Sequence, residues 1–139
     1  MLKDTKSDFT VAVSLAPASR TAATYNGTSV YLAGYNSGAV VFSTGDLGSG
    51  TATPSIEESS DGSTNWAAIA ADRLNGTLAA VSANSTLVIG LTNVAGITKK
   101  YVRAVITLAG GSCTLCSAYV IRGDAQHNPA GGSSTILIA

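Results

Sequence analysis

The chain has 139 residues and a formal net charge of zero, and only 12% of its residues are charged. That length bounds it to one domain, residues 1–139, able to bury roughly two-thirds of its unfolded surface. The charge balance excludes the electrostatic footprint of a nucleic-acid or anionic-membrane binder, and no apolar run approaches the ~20 residues of a spanning helix.

Fifteen glycines and abundant Ser and Thr fit short strands joined by turns better than helices. Low charge gives weak colloidal protection, so an assembled state is expected rather than a solitary monomer. The stretch from Phe9 to Ala18 loosely imitates the apolar part of a signal peptide. With Asp4 and Asp8 ahead of it, no signal peptide is expected. Asn26-Gly27-Thr28, Asn75-Gly76-Thr77 and Asn84-Ser85-Thr86 match the glycosylation pattern and, without a secretory route, read as turns.

Residues 1–20 read as an N-terminal arm and first strand. Met1 to Ser7 is polar with one leucine, Phe9 to Leu15 alternates as a strand does, and Pro17-Ala18-Ser19-Arg20 breaks it. Tyr25-Asn26-Gly27-Thr28 reads as a turn before a short strand at Ser29 to Leu32. Tyr35-Asn36-Ser37-Gly38 reads as another turn, followed by a strand at Ala39 to Ser43. Gly45 to Gly50 is a loop. Thr51 to Ser59 follows, with Ala52, Pro54, Ile56 and Glu58 on one face. Pro54 cannot donate to a ladder, which points to an edge, a bulge or a strand start.

The most explicit local signal comes next. Ser55 to Ile69 has an extended approach, a polar turn at Asp61-Gly62 and then Trp66, the single tryptophan. Glycine takes positive φ freely, and aspartate bonds its own downstream backbone, so this is a hairpin. A large ring entering the core as the second strand begins is expected of Trp66. Ala67 to Leu74 has the alanines of a short helix, ended by Asp72 and Asn75-Gly76. Leu78 to Val81 and Thr86 to Leu91 read as short strands. Tyr101 to Leu108 is the best strand, with Val102, Ala104, Ile106 and Leu108 on one face and Tyr101, Arg103, Val105 and Thr107 on the other. It is expected to form a hairpin with Leu115 to Arg122, covered by Trp66. Residues 124–139 form a C-terminal tail ending in apolar Ile136-Leu137-Ile138. The fold class is all-β: an antiparallel β-sandwich, jelly-roll-like, with extended terminal arms.

Catalytic constellations are lacking. Cys113 and Cys116 form a C-x-x-C, but a zinc site needs about four ligands and His127 is a distant third. The two thiols read as small semi-buried side chains, and His127 as a solvated loop residue. Glu57 and Glu58, adjacent on a strand, point to opposite faces, so they do not converge as a glycosidase pair requires. Asp61 is a turn former. Lys99-Lys100 with Arg103 reads as a solvated basic face. No nucleotide-binding, hydrolase or metalloprotease motif occurs. No enzyme activity, cofactor or metal is expected.

The succession Pro-Ser-Ile-Glu-Glu-Ser, Ser-Asp-Gly-Ser-Thr-Asn-Trp, Lys-Lys-Tyr-Val-Arg-Ala-Val-Ile and Ala-Tyr-Val-Ile-Arg-Gly resembles small tailed-phage structural proteins. In particular it resembles capsid cement or decoration proteins of the BPP-1 type, over about Val40 to Pro129. The resemblance implies a jelly-roll-like sandwich assembled as a homo-oligomer, a dimer, on the outer capsid surface of a virion after synthesis in the host cytoplasm. Its implied partners are the major capsid protein and a second copy, with neither nucleic acid nor membrane. It supplies no functional residue.

A cement protein bridges capsomers by area and multivalency. The expected contact elements are the Met1 to Phe9 arm, through Leu2 and Phe9, and the Ser133 to Ala139 tail, through Ile136, Leu137 and Ile138. The opposing expectation is that both fold back onto their own sandwich. Two rival classes stand beside this reading. One is a glycan-binding β-sandwich using Trp66 and the tyrosines; the other is a tail or head-completion component.

Overall fold

Ten strands and one 3-10 turn make up the described residues of the computed structural model, which are 9–92, 94 and 99–125. In chain order the strands are β1 (Phe9–Arg20), β2 (Ala23–Asn26), β3 (Val30–Tyr31), β4 (Tyr35–Thr44) and β5 (Thr51–Ser59). After them come β6 (Ala67–Ala68), β7 (Leu74–Asn75), β8 (Thr86–Leu91), β9 (Tyr101–Ala109) and β10 (Cys113–Ala125). They form two antiparallel sheets, β1-β10-β4-β8-β7 and β2-β9-β5-β6, with β3 also pairing β9.

The order has a simple origin. Strands β2 and β3 pair with β9 one after the other, so they act as one interrupted strand, and β7 is only two residues long. The remaining eight pair as nested partners: β1 with β10, β2/β3 with β9, β4 with β8, and β5 with β6. This is one long hairpin rolled up into two facing sheets, a jelly roll. Its tip is the β5–β6 turn at Asp61-Gly62, the most legible turn in the sequence.

Alternation builds the core. Ala52, Ile56, Val102, Ala104, Ile106 and Leu108 of the second sheet face Val40, Phe42, Ile89, Ala118 and Val120 of the first, all nearly or fully inaccessible. Alanines at the facing positions let the sheets approach, and Phe42 supplies the large ring between them. Pro54 is buried with its inward neighbours. Carbonyls of Ala52 and Ile56 accept from Val81 and Ile69 on the side away from β9, so Pro54, in phase with them, turns its donorless nitrogen the same way.

Several expectations fail for tertiary reasons. Pro17 does not end β1. The strand skips register between Leu15 and Ala18 and continues to Arg20, a bulge that an edge strand accommodates. Tyr35 to Gly38 is strand rather than turn, because β10 pairs with it from Tyr35 onward; the turn falls at Gly34, with Tyr35 N–H donating to the Leu32 carbonyl. Tyr25 and Asn26 belong to β2, and the break comes at Gly27. There a Cβ would lie 2.7 Å from the carbonyl oxygens of Ser14 and Ala104. Ala67 to Leu74 is a two-residue strand and a 3-10 turn at Ala71–Arg73, not a helix. In Leu78 to Val81 only Val81 bridges, to Ala52.

The largest correction concerns β9 and β10, which are not a hairpin. The chain crosses from one sheet to the other through Gly110-Gly111-Ser112, so the two strands face each other. Both bury a full apolar face, which suits strands stacked across a core as well as strands paired side by side. Residues 1–8 and 126–139, with Leu2, His127, Ile136, Leu137 and Ile138, lie outside the described residues.

Candidate interaction surfaces

The hairpin tip is held by two side chains. Ser59, fully buried, accepts from the N–H groups of Asp61 and Gly62 and donates to the Thr64 carbonyl. Asp61 accepts from the N–H groups of Ser63 and Thr64 at 3.0 and 2.8 Å, and from the Thr64 hydroxyl. These donors, the Thr64 hydroxyl foremost, hold its carboxyl far below the usual carboxylate range. Gly62 adopts φ 77°, and a Cβ there would strike the Tyr101 ring at 2.7 Å. The Asp61 carboxylate is thus fully employed in its own turn.

This turn folds over the outward face of the second sheet. Arg103 pairs with Glu57 at 2.6 Å and lies 4.4 Å from the Trp66 ring centroid. Trp66 is half-buried, so it covers the outside of β9 rather than entering the core. Nor is Arg103 part of a solvated basic face: its guanidinium is divided between a carboxylate and an indole. Tyr31 and Tyr101 stack beside them with centroids 4.8 Å apart. Glu57 and Glu58 do point to opposite faces, and Glu58 turns inward to meet Arg73 at 2.7 Å. Three aromatic rings far apart in sequence share this face with one closed ion pair.

The outward face of the first sheet is different. Register places Val13, Tyr119, Val41 and Val88 side by side across four strands, with Val11, Ile121, Ala39 and Gly90 as the next outward row. Val11, Val13 and Val88 are 54%, 47% and 57% exposed. The flanking outward rows are Phe9, Gly123 and Ser37 at one end and Ser117, Ser43 and Thr86 at the other. None of these residues is charged. A solvated antiparallel sheet face ordinarily alternates to polar side chains, whereas the two central rows of this one carry none. Phe9, a sequence-expected contact, begins β1 at the edge of this face and is half-buried.

No protein-family model matches the chain, and no curated protein is similar to it in sequence. A solved structure shares its architecture. The exported protein XepA of PBSX superposes with a TM-score of 0.59 at 16% identity, over 94% of this chain and 42% of XepA. The fold is therefore shared. This chain spans less than half the length of XepA. Infectious bursal disease virus, Gx strain, gives 0.47 at 13% identity over 90% of this chain and 34% of the viral one. A Bacillus endospore appendage protein, from disulfide-linked pili, gives 0.36 at 18% identity over 90% and 97%.

Among the described residues, the chemistry-bearing side chains singled out in the sequence do not assemble into a site. Cys113 and Cys116 are free, and both are buried. Three residues apart they would face opposite ways in a regular strand. Both face inward because β10 carries an extra residue between them, Ala18 pairing Cys116 and Arg20 pairing Cys113. Burial, with Cys113 beside it, pushes the Cys116 thiol up to about 11, which makes it an inert group at neutral pH. Among the described residues no three His, Cys, Asp or Glu side chains group together. Two shallow depressions of about 250 and 370 Å³ flank the Leu47-Gly48 loop. Their one carboxylate, Asp46, caps the Gly48 N–H.

Proposed function

We propose that this chain is a structural protein of a tailed-phage virion that binds the outside of the capsid and cements neighbouring capsomers. The observation that carries this reading is the outward face of the first sheet, an uncharged surface with two apolar rows across four strands. Phe9 pairs with Gly123, so the first and last strands, β1 and β10, lie side by side in that same sheet. We assign the bridging contacts to Leu2 and Phe9 and to the Ile136-Leu137-Ile138 tip on the apolar character of their sequence. A rigid jelly roll with an uncharged face, with Asp46, Glu57, Glu58 and Asp61 engaged within the fold and both thiols buried, suits a scaffold role. The sequence resemblance to cement proteins points the same way.

Chain stoichiometry in purified virions, measured against the major capsid protein, tests the proposal. Hundreds of copies per particle, on the order expected for a shell-covering protein, support cementing, whereas about a dozen would place the chain in the tail or neck. Removing residues 133–139 is expected to lower occupancy on heads, and unchanged occupancy would sink the role of the tail.

A second reading is favoured by the outward face of the second sheet. Tyr31, Tyr101 and Trp66 gather there beside polar groups, which is how a glycan-binding module holds sugar rings. A glycan array decides this: specific binding abolished by Trp66→Ala would support it, and a blank array would remove it.

A further inference from the structure

We infer that the outward face of the first sheet is an interface between two copies of this chain, packed face to face about a two-fold axis. This deepens the structural-protein reading by naming the surface through which the chain pairs with itself.

The same molecule obeys the usual rule on its other side. The outward positions of β5 and β9 include Thr53, Ser55, Glu57, Arg103 and Thr107, whereas those of β1, β10, β4 and β8 are apolar or small across their full width. Edge pairing is a poorer route to assembly. Strand β1 shifts register three times along its length, and the Thr28 N–H already donates to the Ser14 carbonyl at its edge. The face, not the edge, is what remains open.

A second copy is the occupant that fits. The face carries no charge, so it asks for no oppositely charged partner and meets no repulsion from itself. It is also self-complementary in relief. The Val13-Tyr119-Val41-Val88 row carries a large side chain on every strand, while the Val11-Ile121-Ala39-Gly90 row steps down to alanine and glycine at β4 and β8, with Asn75 of β7 beside Gly90. A two-fold axis lying between the rows sets each copy's full row on the other's tapering one, Val88 over Gly90 and Val41 over Ala39, with the sheets nearly aligned. At ~4.8 Å between strands and ~3.3 Å per residue, the four-strand face projects roughly 450 Å² per copy before side-chain relief is counted. A pair buries on the order of 1,000 Å², the lower end for a specific contact, so the dimer is concentration-dependent rather than obligate.

Sedimentation equilibrium of the purified full-length chain between about 1 and 100 µM tests this, since an interface of this size dissociates in that range. Wild type is expected to shift from monomer to dimer. Val88→Lys and, separately, Val13→Lys should weaken the dimer by about tenfold or more, because each buries an unpaired charge. Thr53→Lys, at an exposed position on the outward face of the second sheet, should leave it unchanged. Both test positions are surface-exposed, and a thermal melt of each variant confirms folding. A wild-type chain that stays monomeric throughout, or a dimer indifferent to both lysines, overturns the inference. Head occupancy is measured in parallel. A monomer that decorates heads and loses that ability with Val88→Lys would give the face to the capsid instead. A lysine-sensitive dimer absent from heads would leave the interface standing and remove the cement reading.

Discussion

Asp61 shows what a single carboxylate does in a turn that carries no catalysis. Its oxygens accept from two backbone N–H groups and one hydroxyl, and its folded form resists protonation accordingly. A depressed carboxyl contributes stability that is fully present above its unfolded value of about 4 and is lost as pH falls through the folded value. Asp61→Asn keeps one acceptor but no charge. At neutral pH the variant should melt below wild type, and the gap should close as the solution is acidified below about pH 4. Melting temperatures of both proteins across that range check this; a gap independent of pH would mean the charge contributes nothing. The turn role was legible because Asp-Gly and the surrounding serines act within a few residues. The position of Trp66 was not. Its resting place depends on Arg103, 37 residues further on, and an amphipathic guanidinium on the outer face competes for the ring with the core.

Strands, likewise, were legible where alternation is strict and illegible where pairing decides. In β5 the inward set Ala52, Pro54, Ile56 and Glu58 follows from period two alone, and so does the divergence of Glu57 from Glu58. Their partners do not follow, because Arg73 and Arg103 arrive from other elements. The two ion pairs also differ in consequence. Glu58 is buried, so Arg73→Met leaves a carboxylate out of water without its cation and should cost about 2–4 kcal/mol. A further Glu58→Gln in that background should recover part of the loss. Arg103→Met, on the more open outer pair, should cost about 1 kcal/mol. Urea unfolding of the four proteins checks the order. Equal costs for Arg73→Met and Arg103→Met would show that Glu58 is better hydrated than its environment implies.

At the scale of the whole molecule, the nested pairing sets how the chain must fold. The β5–β6 tip closes over a few residues, whereas β1 meets β10 across about a hundred, and each pair outward from the tip encloses a longer loop. This is also why the β9–β10 relation was misread from sequence: neighbours in the chain face each other across the core, and only the rolled hairpin reveals who pairs with whom. Loop-closure cost favours the tip as the first native element, with β4–β8, β9–β2 and finally β10–β1 added around it. Ser59→Ala, which empties the buried hydroxyl holding the tip, should therefore slow folding and barely change unfolding. Ala12→Gly, in the partly buried β1 register with Val120, should leave folding almost untouched and speed unfolding. Stopped-flow chevrons measure both arms directly. A Ser59→Ala variant that accelerates unfolding while folding at the wild-type rate would move the nucleus away from the tip and toward the closing strands.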